Sequence, residues 1–288
     1  MKMNILVCLD SGYIPPLKVM LRSLTFSNPD DFFDIYILHS SISDKDMASV
    51  FDSLKNRKAK IIPIKLPDNF GEDFPILRHL TKEAYYRIFA PWYLPADLDK
   101  ILYLDPDITI IGKIDALYNT NLKENCFAGA SHGIPASQFI NRIRLKMCRK
   151  SQYINSGVLL MNLNKIREEH SREEILKYID KNGDRLYFAD QDVINGMYSK
   201  KTVYFSPLKY NLDENYFKLY NKTCPKRDRI DFSWVRKNTS IIHYCGKNKP
   251  WKEEYEGEFG IFYESFTDTP VIRKPKGHVN YFFLDAVN

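Results

Sequence analysis

The chain has 288 residues, which is enough for one large hydrophobic core, and we expect one main domain with a C-terminal appendage. Its 42 Lys and Arg outnumber its 36 Asp and Glu, which gives a net charge of +6, and the charged residues of both signs are interspersed along the sequence. Because nucleic-acid-binding proteins more often concentrate their basic residues in a stripe, this pattern argues against a nucleic-acid partner.

The first sixty-odd residues alternate apolar runs with amphipathic stretches. Apolar runs at residues 4–9, 33–38 and 60–66 predict three strands. Residues 15–24 and 43–54 repeat apolar side chains at helical spacing, and each stretch begins with a helix-start signal. Strands that alternate with helices are typical of a parallel sheet with helical crossovers, which binds ligands at the carboxyl ends of its strands.

An abrupt pair of carboxylates ends the apolar run at residues 101–104. Asp105 and Asp107 are two residues apart, so in an extended segment both side chains leave the same side, while Pro106 fixes its own φ. Carboxylate oxygens so close together suit Mg²⁺ or Mn²⁺, with a substrate phosphate as further ligand. Taken alone, Asp-Pro-Asp is more typical of a simple turn, and only other parts of the chain favour the metal site.

A helix predicted over residues 80–90 precedes this strand. Thr81 is its predicted N-cap, and Arg87 lies on it among aromatic side chains. An arginine in this position either extends from an apolar helix to water or contacts a phosphate or carboxylate.

Two further strands are predicted in the centre of the chain, at residues 126–130 and 153–162. Residues 131–151 between them are polar and basic, and we interpret them as a surface segment. The second of these strands begins with polar side chains, those of Asn155 and Ser156, before it becomes apolar.

The next stretch predicts a charged helix over residues 164–181 that stops at Gly183. A short strand at residues 186–188 follows. Asp190 and Asp192 then fit the start of another helix, where carboxylates offset the macrodipole.

The last predicted strand, residues 240–244, contains His243. A single His after an apolar run is more often a core residue than a ligand. Here, however, a turn with Gly246, Lys247 and Lys249 follows, and this combination is suited to binding a phosphate.

Six short motifs follow one another in a fixed order. They are Asp10 with Tyr13, Arg87, Asp105-Pro106-Asp107, residues 155–160, Asp190-Gln191-Asp192, and residues 243–246 with 249–251. This set resembles the motifs of glycosyltransferase family 8, which includes bacterial lipooligosaccharide galactosyltransferases and glycogenin. The resemblance runs from about residue 4 to residue 251, and the ordered combination is more specific than any single motif.

The resemblance implies an α/β protein with the A-type glycosyltransferase fold, a single Rossmann-like, mostly parallel sheet flanked by helices. Residues 1–251 would form the nucleotide-sugar-binding catalytic domain, and residues 252–288 the small C-terminal appendage. The implied activity is the metal-dependent, retaining transfer of a hexose, galactose or glucose, from a UDP-sugar to a saccharide acceptor.

By the same resemblance, Asp105, Asp107 and His243 are the protein ligands of the metal. An imidazole beside two carboxylates favours Mn²⁺, with Mg²⁺ as the alternative. Asp190 and Gln191 are the catalytic positions under the anomeric carbon. Gln191, a poor nucleophile, could form a transient covalent adduct, or the acceptor could enter on the face that the diphosphate leaves. We favour the second route, because no well-placed nucleophile is evident.

The resemblance also assigns a donor-binding set. Asp10 is expected to hydrogen-bond the uracil and Tyr13 to stack on it, while Gly246 and Lys249 would hold the diphosphate. The full set is Asp10, Tyr13, His79, Arg87, Asp105, Pro106, Asp107, Asn155, Ser156, Asp190, Gln191, His243, Gly246 and Lys249.

Two positions depart from the family pattern. Gly12 stands where relatives often carry an Asn that faces the ribose. The acidic residue that ordinarily reads the donor hydroxyls after the Gly-Ala-Ser strand is absent, and Ser131, His132 and Gly133 occupy that region. The second departure leaves the choice between galactose and glucose open.

Other activities are less compatible with these residues. A sugar-phosphate nucleotidyltransferase would need a Gly-rich, basic loop after the first strand, and a glycosidase would use two separated carboxylates without a metal. A catalytically silent relative that binds a glycan or a partner protein is a third alternative.

The sequence also bears on location and partners. Its apolar start is too short for a secretory signal, and no stretch reaches the length of a membrane span, so we expect a cytoplasmic protein. A basic and aromatic tail could contact the inner face of a membrane, cap the domain or pack in a homo-oligomer. A lipid-linked saccharide, a surface glycan and a protein all remain open as acceptors.

Overall fold

The computed structural model describes residues 1–67, 69–71 and 83–268. The predicted donor contact His79, the predicted cap Thr81 and the basic, aromatic end of the tail lie outside the described residues.

A seven-stranded sheet forms the centre of the protein. Its strands are β1 (Lys2–Cys8), β2 (Phe32–His39), β3 (Ala59–Lys65), β4 (Lys100–Leu104), β6 (Phe127–Ala130), β7 (Asn155–Asn162) and β8 (Thr202–Phe205). Their order across the sheet is β3-β2-β1-β4-β7-β6-β8. Neighbouring strands are parallel except around β7, which runs antiparallel to both β4 and β6. The prediction of a mostly parallel sheet is therefore confirmed.

Both faces of the sheet are buried. Ile5 and Leu102 pack in one apolar cluster, while Leu6 and Tyr103, their neighbours in sequence, pack in the other. Since successive side chains point to opposite faces, a strand covered on both sides needs apolar residues throughout, which explains the continuous apolar runs of the sequence.

Helices cover the two faces and connect the strands. The predicted start of the second helix is confirmed, because the Ser43 side chain accepts a hydrogen bond from the Asp46 backbone N–H. The helices are α1 (Ile14–Ser27), α2 (Asp44–Ser53), α3 (Glu83–Phe89), α4 (Asp115–Tyr118), α5 (Pro135–Arg144), α6 (Leu163–Glu169), α7 (Arg172–Asn182), α8 (Ala189–Tyr198), α9 (Pro207–Tyr210), α10 (Glu214–Thr223), α11 (Phe232–Asn238) and α12 (Gly260–Glu264). Among these described helices, none combines the length and apolar composition that a bilayer span requires.

A separate two-stranded ribbon joins distant parts of the sequence. Strand β5 (Ile108–Ile110) pairs antiparallel with β9 (Ile241–His243), so that Ile108 lies opposite His243. The ribbon therefore places the predicted histidine beside the predicted pair of aspartates.

The prediction of one charged helix over residues 164–181 is wrong, because two helices, α6 and α7, cover this stretch. The backbone of His170 is extended, and Ser171 starts α7 with a reciprocal capping box to Glu174. The predicted stop is confirmed, because α7 ends at Asn182 and Gly183 is its C-cap, with a φ of −45°, where a short 3-10 helix begins.

The strand predicted at residues 186–188 is also wrong. The backbone N–H groups of Tyr187 and Phe188 donate to the carboxylate of Asp192, at 2.6 and 2.9 Å, and therefore do not join a sheet. Asp192 is fully buried and also binds both terminal nitrogens of Arg144, at 2.6 and 2.8 Å. One carboxylate thus folds this turn and fixes the start of α8.

Residues 131–151, interpreted above as a surface segment, contain the helix α5. Pro135 lies in its first turn, a position that proline favours and that was a usable helix signal.

The described part of the predicted appendage packs against the domain. Phe259 and Phe262 share an apolar cluster with Leu212 and Ile242, and Asp268 forms a 2.6 Å ion pair with Arg22 of α1. The boundary at residue 251 stays a prediction.

Asp192→Ala should lower the free energy of unfolding by about 3–5 kcal/mol, because it leaves Arg144 and two backbone N–H groups without their buried partner. Urea unfolding followed by circular dichroism measures the change. Asp184→Ala, which removes an exposed carboxylate nearby, is the control and should change stability by less than about 0.5 kcal/mol. Equal losses in the two variants would contradict this role of Asp192.

Candidate active site

The polar ends of two central strands meet at one edge of the sheet. Asp105 follows β4, and Asn155 and Ser156 begin β7. Because β7 is antiparallel to β4, its beginning lies beside the end of β4, and the Asp105 backbone N–H donates to the Gly157 carbonyl at 2.8 Å. The antiparallel strand β7 therefore places the side chains of Asn155 and Ser156 close to the predicted aspartates.

Asp105, Asp107 and His243 form a cluster whose possible ligand atoms all lie within 4.8 Å of one another. His243 Nε2 is 3.5 Å from Asp105 Oδ2 and 3.3 Å from Asp107 Oδ1. Pro106 is buried in the connection between the two aspartates. Two carboxylates and one imidazole are a donor set suited to a divalent cation of intermediate softness, so these three residues could hold a metal.

Cations of the chain itself offset the charge of this cluster. Arg87 Nη1 lies 2.9 Å from Asp105 Oδ1, and Lys249 Nζ donates to Asp107. Burial opposes ionisation of Asp107, but His243 and Lys249 outweigh burial and hold the pKa of its carboxyl well below its usual value. Asp107 is therefore available as a charged ligand.

Gly157 leaves the space that the histidine occupies. A Cβ at this position would lie 2.1 Å from His243 Cε1 and 2.7 Å from Asp105 Oδ2, closer than atoms can approach. The glycine is therefore required by the close approach of β7 to the cluster.

Asn211 is a site residue that the sequence did not reveal. It is fully buried, its Oδ1 lies 2.9 Å from His243 Nδ1, and its Nδ2 donates to Asn155 Oδ1 at 2.9 Å. A carboxamide oxygen can only accept, so Nδ1 carries the proton in this contact and Nε2 faces the aspartates. Asn211 thus orients the imidazole, and its position far along the chain from Asp105 left no local signal.

The predicted catalytic glutamine is held at both ends of its amide. Gln191 Oε1 accepts from Asn155 Nδ2 at 3.2 Å and from the Ser156 backbone N–H at 3.1 Å. Its Nε2 donates to Tyr153 Oη at 2.9 Å. Hydrogen bonds therefore connect His243 to Gln191 through Asn211 and Asn155.

Asp190 lies on the other side of Arg87. Asp190 Oδ2 is 3.1 Å from Arg87 Nε, but neither atom has a hydrogen-bond partner among the described residues. Burial raises the pKa of Asp190 to about 6, against the lowering effect of Arg87. Its carboxylate is thus ionised at neutral pH.

The first residue of α8, next to this carboxylate, has a strained backbone conformation. Ala189, which precedes Asp190, has a φ of +41°, in the left-handed region that residues with a Cβ rarely adopt. Such strained residues concentrate at functional sites, where the surrounding contacts hold them in place.

The predicted nucleotide contacts lie where the first strand and the last turn meet. Asp10 Oδ1 accepts from the Gly12 backbone N–H at 2.8 Å, which caps a short 3-10 helix. The ring of Tyr13 is 6.1 Å from that of Trp251, with their planes at 78°. Trp251 thus joins the residues around the predicted uracil position.

The turn after β9 carries the two residues predicted to hold a diphosphate. Gly246 has a φ of +80°, and a Cβ there would meet nothing within 4 Å, so its backbone conformation rather than lack of space requires glycine. Lys249 is buried, and its Nζ also donates to the Tyr244 carbonyl at 2.8 Å, which holds its charge at the cluster.

His132, which lies in the region where the family pattern has an acidic residue, is itself paired with a carboxylate. Its Nδ1 lies 3.2 Å from Asp213 Oδ2, and its Nε2 contacts the Asn211 carbonyl at 2.5 Å. Asp213 is thus a carboxylate close to the site. The sequence analysis did not predict it, because it lies some eighty residues further along the chain than His132.

Comparison with known proteins identifies the family of the chain. The family model for Glycosyl transferase family 8 matches residues 4–255. The chain belongs to this family. It is therefore a glycosyltransferase, and the resemblance read from the six motifs is confirmed.

Two relatives are similar to this chain over most of its length. General stress protein A of Bacillus subtilis (strain 168) is 24% identical over 282 residues, which cover 95% of this chain and 96% of that protein. Lipopolysaccharide 1,2-glucosyltransferase of Escherichia coli (strain K12) is 24% identical over 253 residues, 86% of this chain and 72% of that protein.

The structure is similar to that of the galactosyltransferase LgtC in complex with donor and acceptor sugar analogues. The TM-score is 0.76 at 25% identity, and the match covers 93% of this chain and 98% of that chain. The prediction of an α/β protein with the A-type glycosyltransferase fold is confirmed.

Gly157→Ala should lower the free energy of unfolding by about 1–3 kcal/mol, because the new methyl group overlaps His243 and Asp105. Gly12→Ala is the control, since its methyl group would approach only an exposed Asp10 oxygen, at 3.1 Å. Urea unfolding of both variants measures the difference. A Gly157→Ala variant as stable as the control would show that the residues around the cluster are not packed this closely.

Proposed function

We propose that this family 8 protein is a retaining hexosyltransferase that moves galactose or glucose from a UDP-sugar to a saccharide acceptor, with a divalent metal at Asp105, Asp107 and His243. The observation that carries the proposal is the position of this cluster, hydrogen-bonded through Asn211 and Asn155 to Gln191. A charged leaving group and a sugar could thus be bound side by side at one edge of the sheet.

The residues present fit a divalent ion. Two carboxylates and an imidazole supply the donor set, Asn211 fixes the imidazole tautomer, and Gly157 leaves room for the imidazole. Mn²⁺ is the ion we expect and Mg²⁺ the alternative, since an imidazole nitrogen favours the softer ion. When bound, the ion would supply a Lewis acid for the negative charge that develops on UDP.

The chain's own residues account for the rest of the donor site. We assign the uracil to Asp10 and Tyr13, and the diphosphate to Gly246 and Lys249. The buried Lys249 ammonium places a fixed positive charge where the leaving group gains negative charge, which stabilises the transition state without reorganisation.

Asp190 and Gln191 lie where the sugar would bind. The Asp190 carboxylate, ionised above a pKa of about 6, would offset positive charge on the ring as the glycosidic bond breaks. Gln191 Oε1 already accepts two hydrogen bonds, so it is poorly prepared to attack carbon. These contacts favour the route in which the acceptor enters on the face that the diphosphate leaves and a diphosphate oxygen takes its proton.

A donor screen tests the proposal. The protein is incubated with Mn²⁺ and a panel of UDP-sugars, and UDP release is measured with and without oligosaccharide acceptors. We expect release with UDP-galactose or UDP-glucose that requires the metal. A silent relative would bind UDP in calorimetry without turnover, and no metal-dependent UDP binding at all would refute the proposal.

Asp107→Asn should lower turnover by at least about a hundredfold, because it removes a charged ligand, and loss of a supporting residue alone costs 10–100-fold. Asp97→Asn, at an exposed carboxylate, is the matched control and should retain the original rate. Initial rates of UDP release measure both. An Asp107→Asn variant with the original rate would disprove the metal assignment even if the reaction is correct.

Asn211→Ala should weaken Mn²⁺ binding by about 10–100-fold, because the imidazole loses the partner that fixes its tautomer and ring orientation. Electron paramagnetic resonance titration of free Mn²⁺ measures affinity without any turnover. Asn238→Ala, which removes an exposed carboxamide from the end of α11, is the control. Unchanged Mn²⁺ affinity in Asn211→Ala would show that the imidazole is oriented by other contacts.

A further inference from the structure

The helix α5 has its polar and apolar sides reversed relative to an ordinary surface helix. Phe139, Ile140 and Ile143 are 58%, 62% and 63% exposed, whereas Gln138 is only 8% exposed. A surface helix normally turns its apolar stripe towards the core. Three adjacent bulky side chains facing solvent are therefore a feature that needs a partner.

Hydrogen bonds fix this orientation. Gln138 Nε2 donates to Ser131 Oγ at 2.7 Å and to the Tyr153 carbonyl at 3.1 Å, while its Oε1 accepts from the Tyr153 backbone N–H at 2.6 Å. Arg142 adds a 3.3 Å contact to the Ser151 carbonyl. A rotation of α5 that buried its apolar side would break all of these bonds, so the exposed face is built into the fold.

The surroundings of this face are basic. Residues 125–167 contain no Asp or Glu, and the exposed Lys146, Arg149 and Lys150 follow α5 directly. The charged side chains of this segment are all basic, which disfavours a second copy of the same chain, because like charges would meet across the interface. The segment is complementary to an anionic surface.

We propose that α5 and the segment to Lys150 dock on an anionic phospholipid bilayer. Phe139, Ile140 and Ile143 would enter the boundary between headgroups and acyl chains, and the three cations would contact the lipid phosphates. An apolar helix face flanked by Lys and Arg is the pattern of helices that lie in the membrane interface.

The same face adjoins the candidate active site. Arg144 of α5 binds Asp192 of α8 and lies 4.6 Å from the ring of Tyr187, which is itself 65% exposed. Asp190 and Gln191 belong to the same turn of α8 as Asp192. If the proposed function holds, docking would place the turn that contains Asp190 and Gln191 near the lipid surface, although the docking itself does not depend on that function.

Cosedimentation of the full chain with vesicles tests the proposal without any donor. We expect binding to phosphatidylcholine vesicles that contain phosphatidylglycerol, and at least about tenfold weaker binding to phosphatidylcholine alone. The double variant Phe139→Ser/Ile143→Ser should weaken binding to the anionic vesicles by at least about tenfold. Its control, Phe32→Ser/Phe51→Ser, removes two exposed aromatic rings elsewhere and should bind as the original protein does.

A second pair of variants tests the charges. Lys146→Gln/Arg149→Gln/Lys150→Gln should reduce binding to anionic vesicles, and Lys55→Gln/Arg57→Gln/Lys58→Gln, an exposed basic cluster after α2, should not. Calorimetry with UDP should give the same affinity in all four variants, which separates failure of docking from failure of the proposed function.

Three results would overturn the proposal. One is equal binding to neutral and anionic vesicles, and another is equal effects of the α5 variants and their controls. The third is a dimer in sedimentation velocity that Phe139→Ser/Ile143→Ser dissociates while vesicle binding is absent, which would assign the face to a second copy of the chain.

Discussion

The mutual repulsion of two carboxylates at the end of one strand is the constraint on which the site depends. Asp105 and Asp107 are kept together because positive groups from other parts of the chain surround them. Arg87 pairs with Asp105, Lys249 pairs with Asp107, and His243 lies between the two. These groups come from α3, from the turn after β9 and from β9 itself, so the three elements must pack correctly before the carboxylates can be held close together.

The same contacts connect the carboxylate cluster with the residues that we propose bind the sugar. Asn211 joins His243 to Asn155, and Asn155 joins Gln191, so the orientation of the imidazole and of the glutamine amide depend on one set of hydrogen bonds. Arg87 likewise lies between Asp105 and Asp190. In a buried polar network of this kind, loss of one member leaves its neighbours unsatisfied, and its parts are therefore expected to act together.

Sequence patterns predicted the parts of the structure that depend on neighbouring residues. The strands before Asp105 and the Ser43 cap follow from local periodicity and capping, and the pair of aspartates is visible in one short motif. The roles of Asn211 and Asp213 could not be predicted, because both depend on contacts between residues far apart in the chain. The strand at residues 186–188 was predicted wrongly, because Asp192 takes the backbone N–H groups that a strand would use.

A crystal structure with Mn²⁺ and UDP, with anomalous scattering recorded at the manganese edge, tests the central claim most directly. The account predicts one strong anomalous peak within ligand distance of Asp105, Asp107 and His243 Nε2, with the diphosphate completing its coordination. A cleft that binds UDP while the imidazole of His243 turns away from both aspartates and no peak lies between them would contradict it.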